Sequence, residues 1–429
     1  MAIRPCLIYA DEKGNIFDWP ELEMAGRSGM AQRRLHEGDW ISLPEGSELF
    51  LLPNRLPVGY HAGKKRFETL ARDPFNPAKQ LRAVAAFIAP AHTQIYSTAY
   101  KSLRDAPLLP LFAYTAVGWK DGGFVAACVR VDADERQDFR NFDPVRIEAN
   151  ARRRMTEEPR NRLVQHLGKC ALTYGCPAAR NLFMKRWEAP LPASPACNAR
   201  CLGCISLQER GDLCATQDRI GFVPTPQEIC GVAVPHLQEA PRAVVSFGQG
   251  CEGEPLLQAP VLGEAITAMR RETGRGTVNL NTNGSLPEEV RKLCGAGLDS
   301  IRVSLNSCRR EYYNAYFRPK GYGFDDVKES ILAVKASGGF ASINYFVLPG
   351  FTDAETEFEA LCRLVGETRL DLIQLRNLNA DPEWILREMG VPAGEKAMGV
   401  RRLLNRLKER FPLLRFGYFN PCLDPGAAG

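Results

Sequence analysis

No stretch of this sequence runs for the roughly 18 uninterrupted apolar residues that a membrane-spanning helix needs, so no membrane-embedded segment is expected. The start, Met-Ala-Ile-Arg-Pro-Cys, has neither the basic residues nor the apolar core of a secretion signal, and a cytoplasmic protein is expected. Histidine is scarce. The five present (His36, His61, His92, His166 and His236) show no metal or triad spacing and are read as structural. Repeats and low-complexity tracts are absent, and a net charge of +5 is too small for a dedicated nucleic-acid coat. The densest basic run, Arg152, Arg153, Arg154, Arg160 and Arg162, is read as the solvated face of a connecting helix.

At 429 residues the chain is too long for one ordinary core and implies two or three domains. Its 45% hydrophobic and 24% charged residues fit a globular protein rather than a disordered one. Cysteine is plentiful, at 14 residues. In a reducing compartment these are not a disulfide framework, which leaves metal binding and buried packing. Scattered ones such as Cys128 read as small core residues. The group between Cys170 and Cys214 is denser.

The chain changes character near residue 165. Residues 1–150 read as a mostly β, α+β domain, with hairpins at Trp40–Leu43/Leu49–Leu52 and at Phe112–Val117/Phe124–Ala126 and a helix over Pro77–Ala91. Residues 151–189 read as a helical connector that carries Cys170 and Cys176. From about 190 to 385 the pattern is strand then helix. Short runs rich in Val, Ile and Leu at Val244–Phe247, Thr277–Asn281, Ser300–Leu305, Ser342–Val347 and Leu372–Leu375 suit strands covered on both faces. The stretches Leu257–Arg271, Pro287–Ala296, Asp325–Ala336 and Asp353–Glu367 are amphipathic, as crossover helices must be. With one more strand before Cys197, this predicts an α/β fold: a partial (β/α)6 TIM-like barrel whose chemistry sits at the C-terminal strand ends. Residues 386–429 read as a C-terminal helix and tail, with a short strand at Leu413–Phe416.

The sequence Cys197-Asn-Ala-Arg-Cys201-Leu-Gly-Cys204 puts three thiols in one short loop, able to wrap one face of an iron–sulfur cubane. Clusters usually take four cysteines, so three would leave one iron with an open position. Two readings compete: a zinc site closed by Cys214 or another ligand, and a chance group of buried thiols. Further along, Gly248-Gln-Gly-Cys-Glu252-Gly253-Glu254-Pro255 offers a glycine turn with exposed carbonyls beside carboxylates, suited to an ammonium. In Ile301-Arg302-Val303-Ser304-Leu305-Asn306, alternation puts Arg302, Ser304 and Asn306 on one face. Inside a barrel that face is costly unless something polar binds there.

Taken together and in this order, the motifs resemble the radical S-adenosylmethionine (SAM) superfamily over roughly residues 190–380. The resemblance implies that Cys197, Cys201 and Cys204 hold a [4Fe–4S] cluster and that the turn at Glu252, Gly253 and Glu254 receives the SAM amine. It also implies that Asn281 and Asn283, in Asn281-Thr-Asn283-Gly284, lie near the ribose. Arg302, Ser304 and Asn306 would approach the ribose and carboxylate, with Asn344, Gln374 and Arg376 facing inward beside them. Where family members often carry an aromatic near adenine, this chain has Gly203, so Ile205 or residues 347–350 are left to hold the base. The implied activity is reductive cleavage of SAM to a 5′-deoxyadenosyl radical that abstracts hydrogen from substrate, with electrons from a flavodoxin- or ferredoxin-like donor.

A second iron–sulfur cluster could draw on Cys170, Cys176 and Cys214 with Cys308 or Cys422, against the simpler reading of free thiols. The substrate class stays open between a peptide or protein, an RNA and a small molecule. The opposing functional class is a non-catalytic iron–sulfur or zinc protein with a regulatory or RNA-binding role.

Overall fold

The computed structural model describes residues 4–73 and 80–424. Its centre is a seven-stranded parallel sheet in strict chain order: Glu188–Pro190, Val244–Phe247, Thr277–Thr282, Ser300–Leu305, Phe340–Val347, Leu372–Asn377 and Arg415–Gly417. These are called barrel strands one to seven. Every neighbouring pair is parallel. The twisted sheet curls into a half-barrel, and helices such as Ala259–Glu272, Pro287–Ala296, Phe324–Ala336 and Glu355–Thr368 form the crossovers between its strands. The apolar runs that marked these strands lie inside the largest core cluster, with Val245, Phe247, Leu280, Ile301, Ile343 and Ile373 fully buried.

The expected six-unit barrel gains a seventh strand. The strand expected at Leu413–Phe416 forms over Arg415–Gly417 instead, where residues 415–417 pair with Leu372, Ile373 and Gln374. Leu413 is left 95% exposed. The C-terminal stretch is therefore part of the sheet rather than a tail.

The N-terminal region is mostly antiparallel strand and ends its β structure at Arg130. Three helices follow, Pro144–Glu157, Arg162–Leu172 and Pro177–Phe183, the first crossing the expected boundary at 150. Here two local pairings differ from expectation. Trp40–Leu43 and Leu49–Leu52 do not form a hairpin with each other. Ile41–Ser42 pairs with Val125–Ala126, and Glu48–Leu52 pairs with Arg82–Phe87. The second hairpin exists, but its first strand is Val117–Lys120. Of the helix expected over Pro77–Ala91, residues 77–79 lie outside the described residues, and Arg82–Phe87 is a strand. That segment is apolar on both sides because both are covered: Val84 and Ala86 meet Ile8 and Val117, while Ala83 and Ala85 meet Tyr100 and Tyr114. Cross-strand pairing overrides the helical preference of alanine.

The N-terminal region docks on the C-terminal ends of barrel strands five and six. Thr93 Oγ1 donates to the Leu375 carbonyl (2.9 Å), Gln94 Nε2 to that of Val347 (3.4 Å), and the Gly29 amide to that of Pro349 (2.7 Å). Arg55 and Asp381, each 3% exposed, pair at 2.7 Å, and Asp381 also caps the helix Pro382–Glu388. A buried pair of this kind is costly to half-remove, so it fixes the joint. Among the described residues no helix is long and apolar enough to cross a membrane.

His236, on the helix Pro226–Glu239, shares a 2.7 Å hydrogen bond between Nε2 and the Trp187 carbonyl just before barrel strand one. Burial pulls its pKa down to about 4. The folded state thus keeps the ring neutral where the unfolded chain would protonate it. Its contribution is full above about pH 6.5 and is lost as pH falls toward 4, by about 3 kcal/mol. Denaturant unfolding of wild type and His236→Gln across this range should show the wild type losing more stability. Parallel curves would contradict the assignment.

Candidate active site

Barrel strand one ends at Pro190, and the cysteine loop that follows is held by the turn after barrel strand two. The Glu252 carboxylate accepts four backbone N–H bonds: from Ala193 (2.8 Å) and Ser194 (3.1 Å) at the root of the loop, and from Gly248 and Gln249 (2.7 Å each) in its own turn. The Gly253 amide donates to the Ser194 carbonyl (2.6 Å), and that of Glu254 to the Ala196 carbonyl (2.8 Å). The two segments lie so close that a Cβ at Gly253 would stand 2.0 Å from the Ala196 oxygen. Glu254 reaches the other way. It accepts from the amides of Leu256 (2.9 Å) and Asn283 (2.8 Å) and from the Thr282 hydroxyl, tying the turn to barrel strand three. Burial pushes the carboxyl of Glu252 up to about 8 and that of Glu254 up to about 7, against the pull of these donors. Both side chains are thus occupied by the protein's own groups and shape the turn.

The far side of the loop is held as well. Asn283 Nδ2 donates to Asn198 Oδ1 (2.8 Å) and the Lys320 amide to the Asn198 carbonyl (2.8 Å). The amides of Arg200 and Leu202 bond the carbonyls of Phe317 and Tyr316 (3.0 Å each), at the end of the helix Arg310–Phe317. Tyr316 also answers the departure at Gly203. A Cβ there would meet its hydroxyl oxygen at 2.7 Å, so an aromatic ring from another element fills the space beside the loop.

Cys197, Cys201 and Cys204 are each half-buried. Burial raises the Cys197 thiol to about 11, with Glu254 adding to it, and burial with the charges of Cys204 and Cys197 raises Cys201 well up. Deprotonating all three together therefore needs a compensating cation, which a metal centre provides. Among the described residues, the three sulfurs do not all fall within 4.8 Å of one another. A tetrahedral zinc would hold its sulfurs roughly 3.8 Å apart. Wider spacing suits a cubane, whose irons occupy separate corners. Cys214, the expected fourth ligand of a zinc site, is exposed. Arg219 donates from Nη2 to Cys204 Sγ (3.4 Å) and from Nε to Ser206 Oγ (3.1 Å), placing a cation beside one of the three sulfurs.

Below the loop, half-buried Arg302, Ser304, Asn344 and Arg376 recur on barrel strands four to six at alternate positions. Several of their atoms are buried without a partner: Arg302 Nε, Asn344 Oδ1, Arg376 Nε and, on barrel strand three, Asn281 Nδ2. Burial and the charge of Arg376 pull the Arg302 guanidinium down to about 9. Unmatched polar atoms around one interior fit a polar ligand. Asn306 Oδ1 is likewise buried without a partner, while its Nδ2 donates to the Tyr312 carbonyl (3.1 Å). The floor is a closed network: Asn420 of the C-terminal segment donates to Glu188 (2.8 Å) and Asn281 (3.1 Å) and accepts from Gln374 (2.8 Å), which in turn accepts from Arg302 (3.0 Å). Arg219, Tyr316 and Asn420 carry no motif, and only the fold brings them here.

Two outcomes follow. Gly253→Ala should displace the loop at Ala196 and lower iron bound after anaerobic reconstitution several-fold, measured against protein with wild-type circular dichroism. Undiminished iron would mean the close approach is dispensable. Arg219→Ala should shift the cluster's midpoint potential to more negative values in a redox titration followed by electron paramagnetic resonance, since a cation near the sulfurs favours the reduced state. An unmoved potential would deny Arg219 that role.

No curated protein matches the chain in sequence. Among solved structures it is similar to Streptococcus suis SuiB bound to the precursor peptide SuiA, at 14% identity over 56% of this chain and 53% of that one, with a TM-score of 0.39. A radical SAM methyltransferase from Sphaerobacter thermophilus is similar at 15% identity over 55% and 66%, TM-score 0.38. Methylornithine synthase (PylB) is similar at 13% over 63% and 74%, TM-score 0.38. The chain thus spans about half to three quarters of these proteins. In sequence, residues 191–362 match the model of the radical SAM superfamily, over the stretch that holds the cysteine loop and barrel strands two to five. With that match falling on this half-barrel, residues 191–362 form a radical SAM domain.

Proposed function

We propose that the protein is a radical SAM enzyme. The observation that carries the reading is the three-thiol loop, locked onto the turn at Glu252–Glu254 and set at the C-terminal ends of parallel strands above buried polar atoms with no partner. Cys197, Cys201 and Cys204 would hold a [4Fe–4S] cluster, which, when present, supplies the electron that cleaves SAM into methionine and a hydrogen-abstracting 5′-deoxyadenosyl radical. Gly253 lets the turn approach the loop, and the turn at Glu252, Gly253 and Glu254 would receive the SAM amine. Asn281, Arg302 and Ser304, with Asn344, Gln374 and Arg376, would orient the ribose, carboxylate or substrate from below, and Asn283 would hold the loop through Asn198. Asn306, whose Oδ1 is free while Nδ2 is held by Tyr312, would join them. Tyr316 walls the side where adenine would lie.

The N-terminal region docks at the ends of barrel strands five and six and so forms one wall of the mouth, which supports a role in substrate selection. The substrate can be a peptide, an RNA or a small molecule. A flavodoxin- or ferredoxin-like protein is the proposed electron donor, and a cytoplasmic location suits fourteen free thiols. The non-catalytic alternative is not favoured, since it needs no unpartnered polar interior.

Anaerobically reconstituted protein given SAM and dithionite should yield 5′-deoxyadenosine, detected by mass spectrometry. Cys201→Ala should yield none. Iron-loaded wild type that forms no 5′-deoxyadenosine would sink the proposal.

A further inference from the structure

The helix Arg162–Leu172 carries His166 and Cys170 four residues apart, so both side chains lie on one face. That face meets Cys251, which sits in the turn after barrel strand two and immediately precedes Glu252. His166 Nε2 lies 3.5 Å from Cys170 Sγ. The ligand atoms of His166, Cys170 and Cys251 all fall within 4.8 Å of one another, the only such group of histidine, cysteine or acidic side chains among the described residues. Cys170 and Cys251 are buried, and His166 is half-buried.

We propose that His166, Cys170 and Cys251 form a second metal site, separate from the cysteine loop, that takes one zinc-class divalent cation. The donor set is one imidazole and two thiolates, which such an ion prefers. The spacing agrees: bonds of about 2.3 Å to sulfur and 2.0 Å to nitrogen at tetrahedral angles separate the two atoms by roughly 3.5 Å. A cubane would need its sulfurs further apart. The ion would displace the thiol protons of Cys170 and Cys251 to solvent, and no electron moves.

Cys176 follows the same helix but falls outside this group. Its amide bonds the Cys170 carbonyl (3.0 Å). The set differs from the one expected in sequence for a second cluster. Cys214 is exposed, Cys308 is buried beside Glu357 and Cys362, and Cys422 Sγ points to the Ala243 carbonyl. His166, read in sequence as structural, joins instead.

The consequence is mechanical. Cys251 shares a turn with Glu252 and Gly253, so an ion bound there would clamp the connector helix to the segment that grips the cysteine loop. Lys169, beside Cys170, pairs with Asp218, and the Ile220 amide bonds the Cys251 carbonyl (2.7 Å), so the same face is already the anchor of the loop that returns past residue 220.

The test uses the full chain with Cys197, Cys201 and Cys204 all changed to alanine, stripped with chelator and titrated anaerobically with cobalt(II). Because this protein has no cluster ligands, the result is independent of the radical SAM reading. One cobalt per chain is expected, with a thiolate-to-cobalt charge-transfer band and the intense visible bands of a tetrahedral ion. In the same background, Cys170→Ser should abolish the spectrum, and His166→Gln, at a half-buried position that can keep its fold, should weaken binding by roughly tenfold or more. Absence of cobalt binding would overturn the proposal. So would binding that both substitutions leave unchanged, or a Cys170–Cys251 disulfide recovered from anaerobically purified wild type.

Discussion

One buried carboxylate joins the two halves of the site. Glu252 accepts two amides from the root of the cysteine loop and two from its own turn, so neither segment can move without leaving buried N–H groups unpaired. Gly253 and Glu254 extend the same seam by donating their amides to Ser194 and Ala196. From this seam the constraint spreads to barrel strand three through Glu254, and to the helix Arg310–Phe317 through Arg200 and Leu202. The three thiols owe their position to it.

This arrangement gives the turn's acidic residues a different part from the one their sequence suggests. A Glu-Gly-Glu stretch beside a proposed ammonium site reads as a pair of counter-charges. In the fold both carboxylates are spent on the protein's own donors, so they set the shape of the turn. The charged groups with unmet capacity lie lower, where Arg302 and Arg376 face one interior with their Nε atoms unpartnered. A site built this way is rigid at the loop and receptive at the floor. That division suits chemistry in which a reactive fragment must be held still beside a substrate.

The parallel half-barrel was legible because parallel strands buried on both faces appear as short apolar runs, and the amphipathic crossovers between them keep helical spacing. Val244–Phe247, Ser300–Leu305 and Pro287–Ala296 form over the residues their patterns predict. The N-terminal region was not legible at the level of pairing. Glu48–Leu52 finds Arg82–Phe87 instead of its near neighbour, and an alanine-rich segment becomes a strand because both of its faces are covered. Register in such a sheet depends on partners distant in the chain.

By itself the sequence determined which residues could hold a metal in one loop, since three thiols within eight positions are close whatever the rest does. It also determined the order of strand and helix that carries them. The tertiary structure alone decided which atoms meet across elements: Arg219 on Cys204, Tyr316 in the space at Gly203, Asn420 under the barrel floor, and His166 with Cys170 beside Cys251. The physical reason is range. Spacing along a chain fixes neighbours within a turn or a loop, whereas contacts between distant segments exist only once the core has chosen how those segments pack.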